Sequence, residues 1–175
     1  MIVNRNALLA AAPIKNMVAE KRREHGVSYG LSEAGYDIRI KQDITFSGMR
    51  ALRLDIDDPS LSTPHVFVDG ERREGFFTLA SAIEEFQIPP DMVGEIKDKS
   101  TWIRQGLYIG NTVAEPGWKG FLTLELAYFG YEPLHIPAGA GIAQVLFFRT
   151  QELASYEGKY QDQEDRPVES KFVNS

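Results

Sequence analysis

The chain has 175 residues, no cysteine, three histidines and a formal net charge of −6. The missing cysteines exclude disulfides, thiol nucleophiles and thiolate zinc sites, and no two histidines have the spacing of a zinc-ligand pair, which argues against a metal held by histidine. The acidic balance argues against a non-specific DNA binder, which needs a broad cationic face. No apolar run approaches the ~20 residues of a membrane span, and the N-terminal stretch lacks the features of a secretory signal. We therefore expect a cytoplasmic protein with no nucleic-acid or membrane partner.

The sequence predicts few helices. The chain opens with a predicted helix from Asn6 to Arg23 that is interrupted near Pro13. Two further short helices are predicted, one from Ala80 to Phe86 before Pro89 and Pro90, and one from Ser100 to Gln105 before Gly106.

Most of the remaining chain predicts β-strands. Short runs of β-type residues are separated by Gly, Pro and Asp turns: YDIRI, ITF, ALRLDI, HVFV, GFFTL, LYIGNTV, FLTLELAYF, LHIPA and GIAQVLFF. This pattern favours a mainly β sandwich or barrel-like fold in a single domain, residues 1–175. The acidic LDIDD and basic ERRE stretches between strands indicate solvated loops.

The segment DKSTWIRQG, residues 98–106, has the composition of an anion site. Ser100 is a candidate helix cap. Free N–H groups at the helix start, the hydroxyls of Ser100 and Thr101 and the cation of Lys99 suit a phosphate. Arg104 follows Ser100 by one helical turn, so both side chains can face one site. The alternative is an ordinary capped surface helix.

Glu125 is a carboxylate within an apolar strand. Leu122, Leu124 and Leu126 point to one face of this strand, and Glu125 points to the other. Burial there would raise the pKa of the Glu125 carboxyl toward a value suited to a general base. The alternative is a surface glutamate on a one-sided sheet, and Glu115, beside the Pro-Gly turn, fits a solvated loop acid.

Three weaker signals accompany these two. Asp37, in a strand, is best interpreted as structural, and Gln144 is either a satisfied buried amide or a ligand contact. The polar segment 155–175 has the composition of a disordered end. Alternatively it is an arm that closes over a ligand, because it concentrates suitable groups: Tyr156, Lys159, Tyr160 and Gln163.

Five segments, taken in order, resemble the dCTP deaminase/dUTPase superfamily: residues 28–39 (SYGLSEAGYDIR), 98–107 (DKSTWIRQGL), 111–126 (NTVAEPGWKGFLTLEL), 136–145 (IPAGAGIAQV) and 158–163 (GKYQDQ). The resemblance implies a distorted jelly-roll or β-barrel-like, dUTPase-type subunit and a homotrimer with shared active sites. It implies dCTP or dUTP as ligand, with Mg²⁺ bound through the triphosphate, no zinc, an arm ordered by substrate, and dTTP as a candidate inhibitor.

The resemblance also implies roles for single residues. Glu125 matches the catalytic base that activates water, while Ser100 and Arg104 match the residues that position the water and polarise the base. The backbone of Asn111, Thr112 and Val113 matches the segment that contacts the base edge, and Trp118 matches the wall of the sugar pocket. The triphosphate contacts match Lys99, Thr101, Gln144, Lys159 and Gln163.

The deaminase branch is favoured over the dUTPase branch. The matching motif of trimeric dUTPases is IDxGYRG, with an apolar residue ten positions after the Asp. At the aligned positions this chain has Glu115 for the Asp, Trp118 for the Tyr and Glu125 for the apolar residue. Three departures from many deaminases remain: Lys99 in place of Arg, no Arg at Val113 or Ala114, and Ile103 in place of a small residue. A dUTP diphosphatase or bifunctional enzyme stays open through Glu115, as does a nucleotide-binding regulator on the same scaffold.

Overall fold

The computed structural model describes residues 1–53 and 63–172, and within them strands dominate. The strands are β1 (Ile2–Val3), β2 (Lys21–Glu24), β3 (Val27–Leu31), β4 (Tyr36–Arg39), β5 (Ile44–Phe46), β6 (His65–Val68), β7 (Glu71–Glu74), β8 (Phe77–Gln87), β9 (Met92–Asp98), β10 (Leu107–Ile109), β11 (Val113–Ala114), β12 (Lys119–Tyr128), β13 (Leu134–Ile136) and β14 (Gly141–Arg149). The helices are α1 (Arg5–Ala11), α2 (Ser100–Ile103) and a 3₁₀ helix (Met49–Arg53).

The strands form three antiparallel sheets. The largest runs β11–β9–β14–β4–β3–β2, with β1 paired to β14; the second runs β10–β12–β8, and the third β13–β5–β6–β7. Apolar side chains from all three sheets form one buried cluster that includes Ile38, Phe46, Leu124 and Phe147. The predicted mainly β fold is therefore confirmed. No helix in the described residues is long and apolar enough to cross a lipid bilayer.

Strands with clear apolar alternation lie where the sequence predicts them. HVFV forms β6, ITF forms β5, and GIAQVLFF lies within β14. The run LYIGNTV is divided into β10 and β11 by a loop. The predicted strand ALRLDI begins as the 3₁₀ helix, and its remainder lies outside the described residues, as does the acidic LDIDD stretch.

The predicted N-terminal helix is wrong beyond its first two turns. Helix α1 ends at Ala11, and Ala12 adopts a left-handed conformation (φ 45°) directly before Pro13. Residues 21–24 instead form β2, which pairs with β3 through a turn at His25 (φ 50°) and Gly26 (φ 76°). Two successive positive φ values define the primed turns that join tight hairpins, so His25-Gly26 is a turn signal within a stretch of helix-forming residues.

Two further predictions are corrected. The segment Ala80–Phe86 is strand, within β8, although Ala and Glu favour helices. Its alternate residues Ala80, Ala82, Glu84 and Phe86 are buried, a period of two that packing in the sheet imposes. The ERRE stretch is exposed, as expected, but it forms the edge strand β7 rather than a loop.

Candidate functional site

Glu125 lies in the middle of β12 and points away from the core. Its neighbours Leu124 and Leu126 are fully buried, because successive residues of a strand face opposite sides of the sheet. The sequence left open a buried Glu125 side chain and a surface glutamate on a one-sided sheet. In the single chain the side chain is accessible to solvent and faces a pocket of about 660 Å³.

The carboxylate of Glu125 is electrostatically isolated. Partial desolvation raises the pKa of the Glu125 carboxyl above its ordinary value, and no ion pair or hydrogen bond within the described part of the chain counteracts this shift. A carboxylate with a raised pKa and free lone pairs is suited to accept a proton from water.

The loop before β11 is attached to the strand that carries Glu125. The backbone N–H of Gly110 donates to the Glu125 carbonyl at 2.8 Å. The Asn111 side chain bonds β12 twice, at Thr123 and at Glu125. A Cβ added at Gly110 would lie 3.5 Å from Oε2 of Glu125, so glycine leaves the approach to this oxygen open.

The turn from Glu115 to Trp118 positions the next part of the pocket wall. The backbone N–H of Trp118 donates to the Glu115 carbonyl at 3.1 Å, and Gly117 supplies the positive φ (76°) that the turn requires. The Trp118 ring is buried against Phe86, with ring centroids 5.7 Å apart. Its indole N–H donates to the Tyr160 carbonyl at 2.6 Å, which connects this turn to the C-terminal segment.

We call residues 155–172 the C-terminal arm. The arm lies across the mouth of the pocket and is hydrogen-bonded to β12. The Phe121 N–H donates to the Gln163 carbonyl at 3.1 Å, and the Thr123 hydroxyl donates to Oε1 of Gln163 at 3.0 Å. The same hydroxyl accepts the N–H of Val168 at 3.0 Å. The predicted closing segment therefore lies against the predicted catalytic strand.

Lys159 is held within the arm rather than at the pocket. Its ammonium donates to the Lys171 carbonyl, and the Lys171 ammonium donates to the Lys159 carbonyl at 3.1 Å. Both ammonium groups lie over the Tyr160 ring, at 5.1 and 5.8 Å from its centroid. This arrangement closes the arm into a loop.

The pocket lining combines predicted and unpredicted residues. Nine of the predicted site residues line it: Asn111, Thr112, Val113, Glu115, Trp118, Glu125, Tyr156, Tyr160 and Gln163. The others that line it are Phe77, Leu79, Ile96, Ala114, Leu122, Thr123, Val168, Glu169 and Ser170. The lining contains three carboxylates and no Lys, Arg or His among the described residues. By itself, this pocket repels a triphosphate.

Two other predicted residues, Lys99 and Gln144, belong to a second site together with Ser28, Ser32 and Asp37, and we call these five residues the lysine cluster. Lys99 Nζ lies 2.6 Å from Oδ2 of Asp37 and 3.1 Å from the Ser28 hydroxyl. The Gln144 amide donates to Oδ1 of Asp37 at 3.1 Å and to the Ser32 hydroxyl at 2.9 Å. The Asp37 and Lys99 side chains are only 2% and 10% exposed. The buried charge of Asp37 is thereby paired and hydrogen-bonded.

Helix α2 follows directly from the lysine cluster. It is fixed by Trp102, whose buried indole N–H donates to the Gly141 carbonyl at 2.7 Å. Ser100 is the first helical residue rather than the cap, and the Lys99 carbonyl accepts the N–H of Trp102 at 3.0 Å. Ser100, Thr101 and Arg104 are exposed, and none of them lines the pocket of Glu125.

Sequence reasoning missed several of these contacts. Thr123 lies two residues from Glu125 on the same face of β12, so strand periodicity was a usable signal for it. Nothing in the sequence links Ser28 to Lys99, which is 71 residues away, or Val168 to the pocket. In residues 1–53 and 63–172, no three His, Asp or Glu side chains form a metal-binding group.

The sequence of this chain is similar to those of known enzymes. The model of the dCTP deaminase-like family matches residues 8–150. A dCTP deaminase from Herpetosiphon aurantiacus is 41% identical over 147 residues, covering 78% of this chain and 79% of the relative. A dCTP deaminase from Roseiflexus castenholzii is 38% identical over 160 residues, covering 86% of each chain.

The fold of this chain also matches solved structures of a dUTPase and a dCTP deaminase. The native dUTPase of EIAV matches with a TM-score of 0.50 and 18% identity, over 85% of this chain and 92% of that one. The dCTP deaminase structure from Agrobacterium tumefaciens matches with a TM-score of 0.54 and 18% identity, over 85% of this chain and 47% of that longer one. The dUTPase-type fold is thus confirmed.

Proposed function

Because the chain belongs to the dCTP deaminase-like family, we propose that it hydrolyses dCTP to dUTP and ammonia, a step that feeds dUMP and dTTP synthesis. The observation that carries this proposal is the isolated carboxylate of Glu125, which faces the pocket with a raised pKa. The sequence has no cysteine for the thiolate-bound zinc on which many nucleobase deaminases depend. A carboxylate base acting on water supplies the equivalent chemistry.

In the proposed reaction Glu125 moves protons twice. It takes a proton from water as the water oxygen bonds to C4 of cytosine, and passes this proton to N3. It then takes the proton of the new hydroxyl and delivers it to the amino nitrogen. The C4–N bond breaks, ammonia leaves, and C4 becomes the carbonyl of uracil. The raised pKa suits a group that must both accept and release a proton.

The other pocket residues bind and orient the nucleotide in this proposal. The backbone of residues 111–113 contacts the base edge, and the buried Trp118 forms the wall of the sugar pocket. Tyr156 and Tyr160 close the arm over the bound nucleotide, since both line the pocket and are bonded to each other through the Tyr160 N–H at 3.3 Å. Ser100 orients the water, and Arg104 polarises the base.

The triphosphate requires cations that the pocket of Glu125 lacks. We assign its contacts to Lys99, Thr101, Gln144, Lys159 and Gln163. Mg²⁺ bound through the phosphates would supply further charge neutralisation. Lys159 must exchange its bond with the Lys171 carbonyl for a phosphate oxygen.

Within one chain the Glu125 pocket is separate from the residues proposed to bind the triphosphate and orient the water. In a homotrimer with shared sites, these two groups could come from neighbouring subunits. Ser100, Arg104 and the lysine cluster of one subunit would meet the Glu125 pocket of the next. An apolar surface around Glu125 supports such a contact. Tyr108, Ala127 and Phe77 are paired across the same sheet, and Phe77 and Tyr108 are 54% and 50% exposed. Large exposed aromatics next to a polar site are typical of protein interfaces.

A second candidate activity is release of diphosphate from dUTP, alone or after deamination. The observation that favours it is Glu115, a second carboxylate in the same pocket whose side chain has no bonded partner among the described residues. A third candidate is a nucleotide-binding regulator without turnover. The isolated carboxylate of Glu125, which is suited to catalysis, argues against it.

The deciding experiment incubates the purified protein with Mg²⁺ and either dCTP or dUTP, and follows ammonia, diphosphate and nucleotides by chromatography. The proposal expects dCTP to yield ammonia and dUTP that persists. Formation of dUMP and diphosphate assigns the second activity, and the tube with dUTP alone shows whether deamination comes first. Nucleotide binding without any product would contradict both enzymatic proposals and indicate the regulator.

Shared sites are tested by mixing two inactive variants. Glu125→Gln chains and Arg104→Gln chains each lack one half of the site. After denaturation together and refolding, about a quarter of the sites in randomly mixed trimers receive both intact halves. Recovery of about a quarter of the wild-type activity is expected. A mixture as inactive as its components would overturn the shared site.

A further inference from the structure

The lysine cluster has little net positive charge for a triphosphate. Lys99 forms a buried ion pair with Asp37 at 2.6 Å, and this pairing cancels the charge of the one lysine in the cluster. Gln144 is neutral, and its amide is engaged by Asp37 and Ser32. A triphosphate is best held by cations that no carboxylate neutralises, and the forked guanidinium of arginine matches the geometry of phosphate oxygens. A triphosphate at the lysine cluster therefore needs a cation from a neighbouring element.

Arg23 lies beside the lysine cluster without an acidic partner. In the hairpin of β2 and β3, Arg23 is directly opposite Ser28. Side chains of directly opposite residues point to the same face, with Cβ atoms about 5 Å apart. The Ser28 hydroxyl is in turn 3.1 Å from the Lys99 ammonium. The exposed guanidinium of Arg23 therefore extends over the surface that Ser28 and Lys99 share.

The other cations of β2 are differently placed. Arg22 is opposite Tyr29, on the other face of the hairpin, and pairs with Glu20 at 2.9 Å. Lys21 pairs with Glu33 at 2.6 Å. Arg23 has no ion pair or hydrogen bond within residues 1–53 and 63–172, although acidic residues outnumber basic ones in this chain. An unpaired arginine at this position is available for a ligand.

From this arrangement we propose that Arg23 binds the triphosphate of the nucleotide, a role that rests on the proposed function. Arg23 contributes to binding rather than chemistry, since it lies opposite Ser28 of the lysine cluster and does not line the pocket of Glu125. The contribution grows with the number of phosphates and weakens with ionic strength, because exposed charges are screened by salt.

Calorimetric titrations in Mg²⁺ with dCTP, dCMP and inorganic triphosphate test this role. The variants are Arg23→Gln, Arg23→Lys and the matched control Arg22→Gln, which removes the neighbouring paired arginine from the opposite face. Loss of one charge-assisted bond is expected to weaken dCTP and triphosphate binding by about 10-fold in Arg23→Gln. Arg23→Lys recovers part of the affinity, Arg22→Gln binds like the wild type, and dCMP binding is unchanged.

Two results overturn the proposal for Arg23: wild-type affinity for dCTP in Arg23→Gln, or equal losses for dCTP and dCMP. Binding is measured separately from turnover, so the two proposals fail separately. A wild-type protein that binds inorganic triphosphate through Arg23 but releases no ammonia from dCTP refutes deamination alone. A wild-type protein that binds neither dCTP nor triphosphate refutes both.

Discussion

The side-chain amide of Asn111 is bound at both ends by the strand that carries Glu125. Its Oδ1 accepts the backbone N–H of Glu125 at 3.1 Å, and its Nδ2 donates to the Thr123 carbonyl at 2.7 Å. An amide that satisfies a donor and an acceptor on one strand fixes both the distance and the register between its loop and that strand. In the proposed site, this loop contacts the base edge while Glu125 reacts with C4.

We expect Asn111→Ala to lower kcat for deamination at least 10-fold, because the loop that contacts the cytosine ring would no longer be fixed relative to the Glu125 carboxylate. Two hydrogen bonds of about 1 kcal/mol each disappear, so the free energy of unfolding falls by about 2 kcal/mol in urea denaturation. Asn4→Ala is the control, since it removes an asparagine bond to the Glu33 carbonyl (2.8 Å) remote from the pocket. Equal activities of the two variants would contradict the role of Asn111.

The raised pKa of Glu125 predicts an acid limit on activity. The base works only when ionised, so kcat/KM falls as the pH drops through the raised pKa, at a higher pH than an ordinary glutamate would give. Glu125→Gln is expected to lower the rate ~10²–10⁴-fold and to abolish this acid limb while dCTP still binds. The pH profile of Glu115→Gln serves as control. If the acid limb persists in Glu125→Gln, or vanishes in Glu115→Gln, the base is a different residue.

The two tryptophans form a matched pair for testing the arm. Each donates its indole N–H to one backbone carbonyl, Trp118 to Tyr160 and Trp102 to Gly141. Phenylalanine keeps the ring apolar but removes this bond, which costs each variant about 1 kcal/mol. Only Trp118→Phe is expected to expose residues 155–172 to limited proteolysis and to faster amide exchange. Similar protection of the arm in both variants would show that the Trp118 bond does not hold it.

Because Asp37 and Lys99 form a buried ion pair, we expect substitutions of the two residues to have strongly non-additive effects on the free energy of unfolding. Asp37→Asn leaves the Lys99 ammonium, 10% exposed, without its counter-charge, and should lower the free energy of unfolding by about 3 kcal/mol. Adding Lys99→Met to this variant removes the unpaired charge, so the double variant should be more stable than the sum of the single effects implies. Urea denaturation of all four proteins measures the coupling. Additive effects would show that the ammonium is hydrated and the pair contributes little.

Sequence patterns predicted what depends on neighbours along the chain. The alternation in β12 and the glycine after α2, which has a φ of 95°, both act over a few residues. Strand β12 forms as expected, and α2 lies where the sequence predicts it but ends at Ile103 rather than Gln105. The strand β2 was missed because four charged, exposed residues carry no apolar period. The strand in Ala80–Phe86 was missed because tertiary packing overrode helix propensity.

The same distinction applies to the candidate site. Glu125 and the residues 111–118 could be assigned to one pocket because they are neighbours along the chain. The bond between Lys99 and Asp37 joins residues 62 positions apart, and no local signal predicts it. Nor could the sequence show that Ser100 and Arg104 lie outside the Glu125 pocket of their own chain, since this depends on how the sheets pack.

Two sheets end in strands of a similar kind. The largest ends in β2, with the sequence KRRE, and another ends in β7, with the sequence ERRE; every residue in both is exposed. Edge strands present unpaired N–H and C=O groups that can add a strand from another molecule and begin aggregation. Here such addition must first desolvate a row of charges. Neutral, β-branched substitutions on these eight residues would leave the core and the pocket intact, yet convert both edges into templates for fibrous assembly.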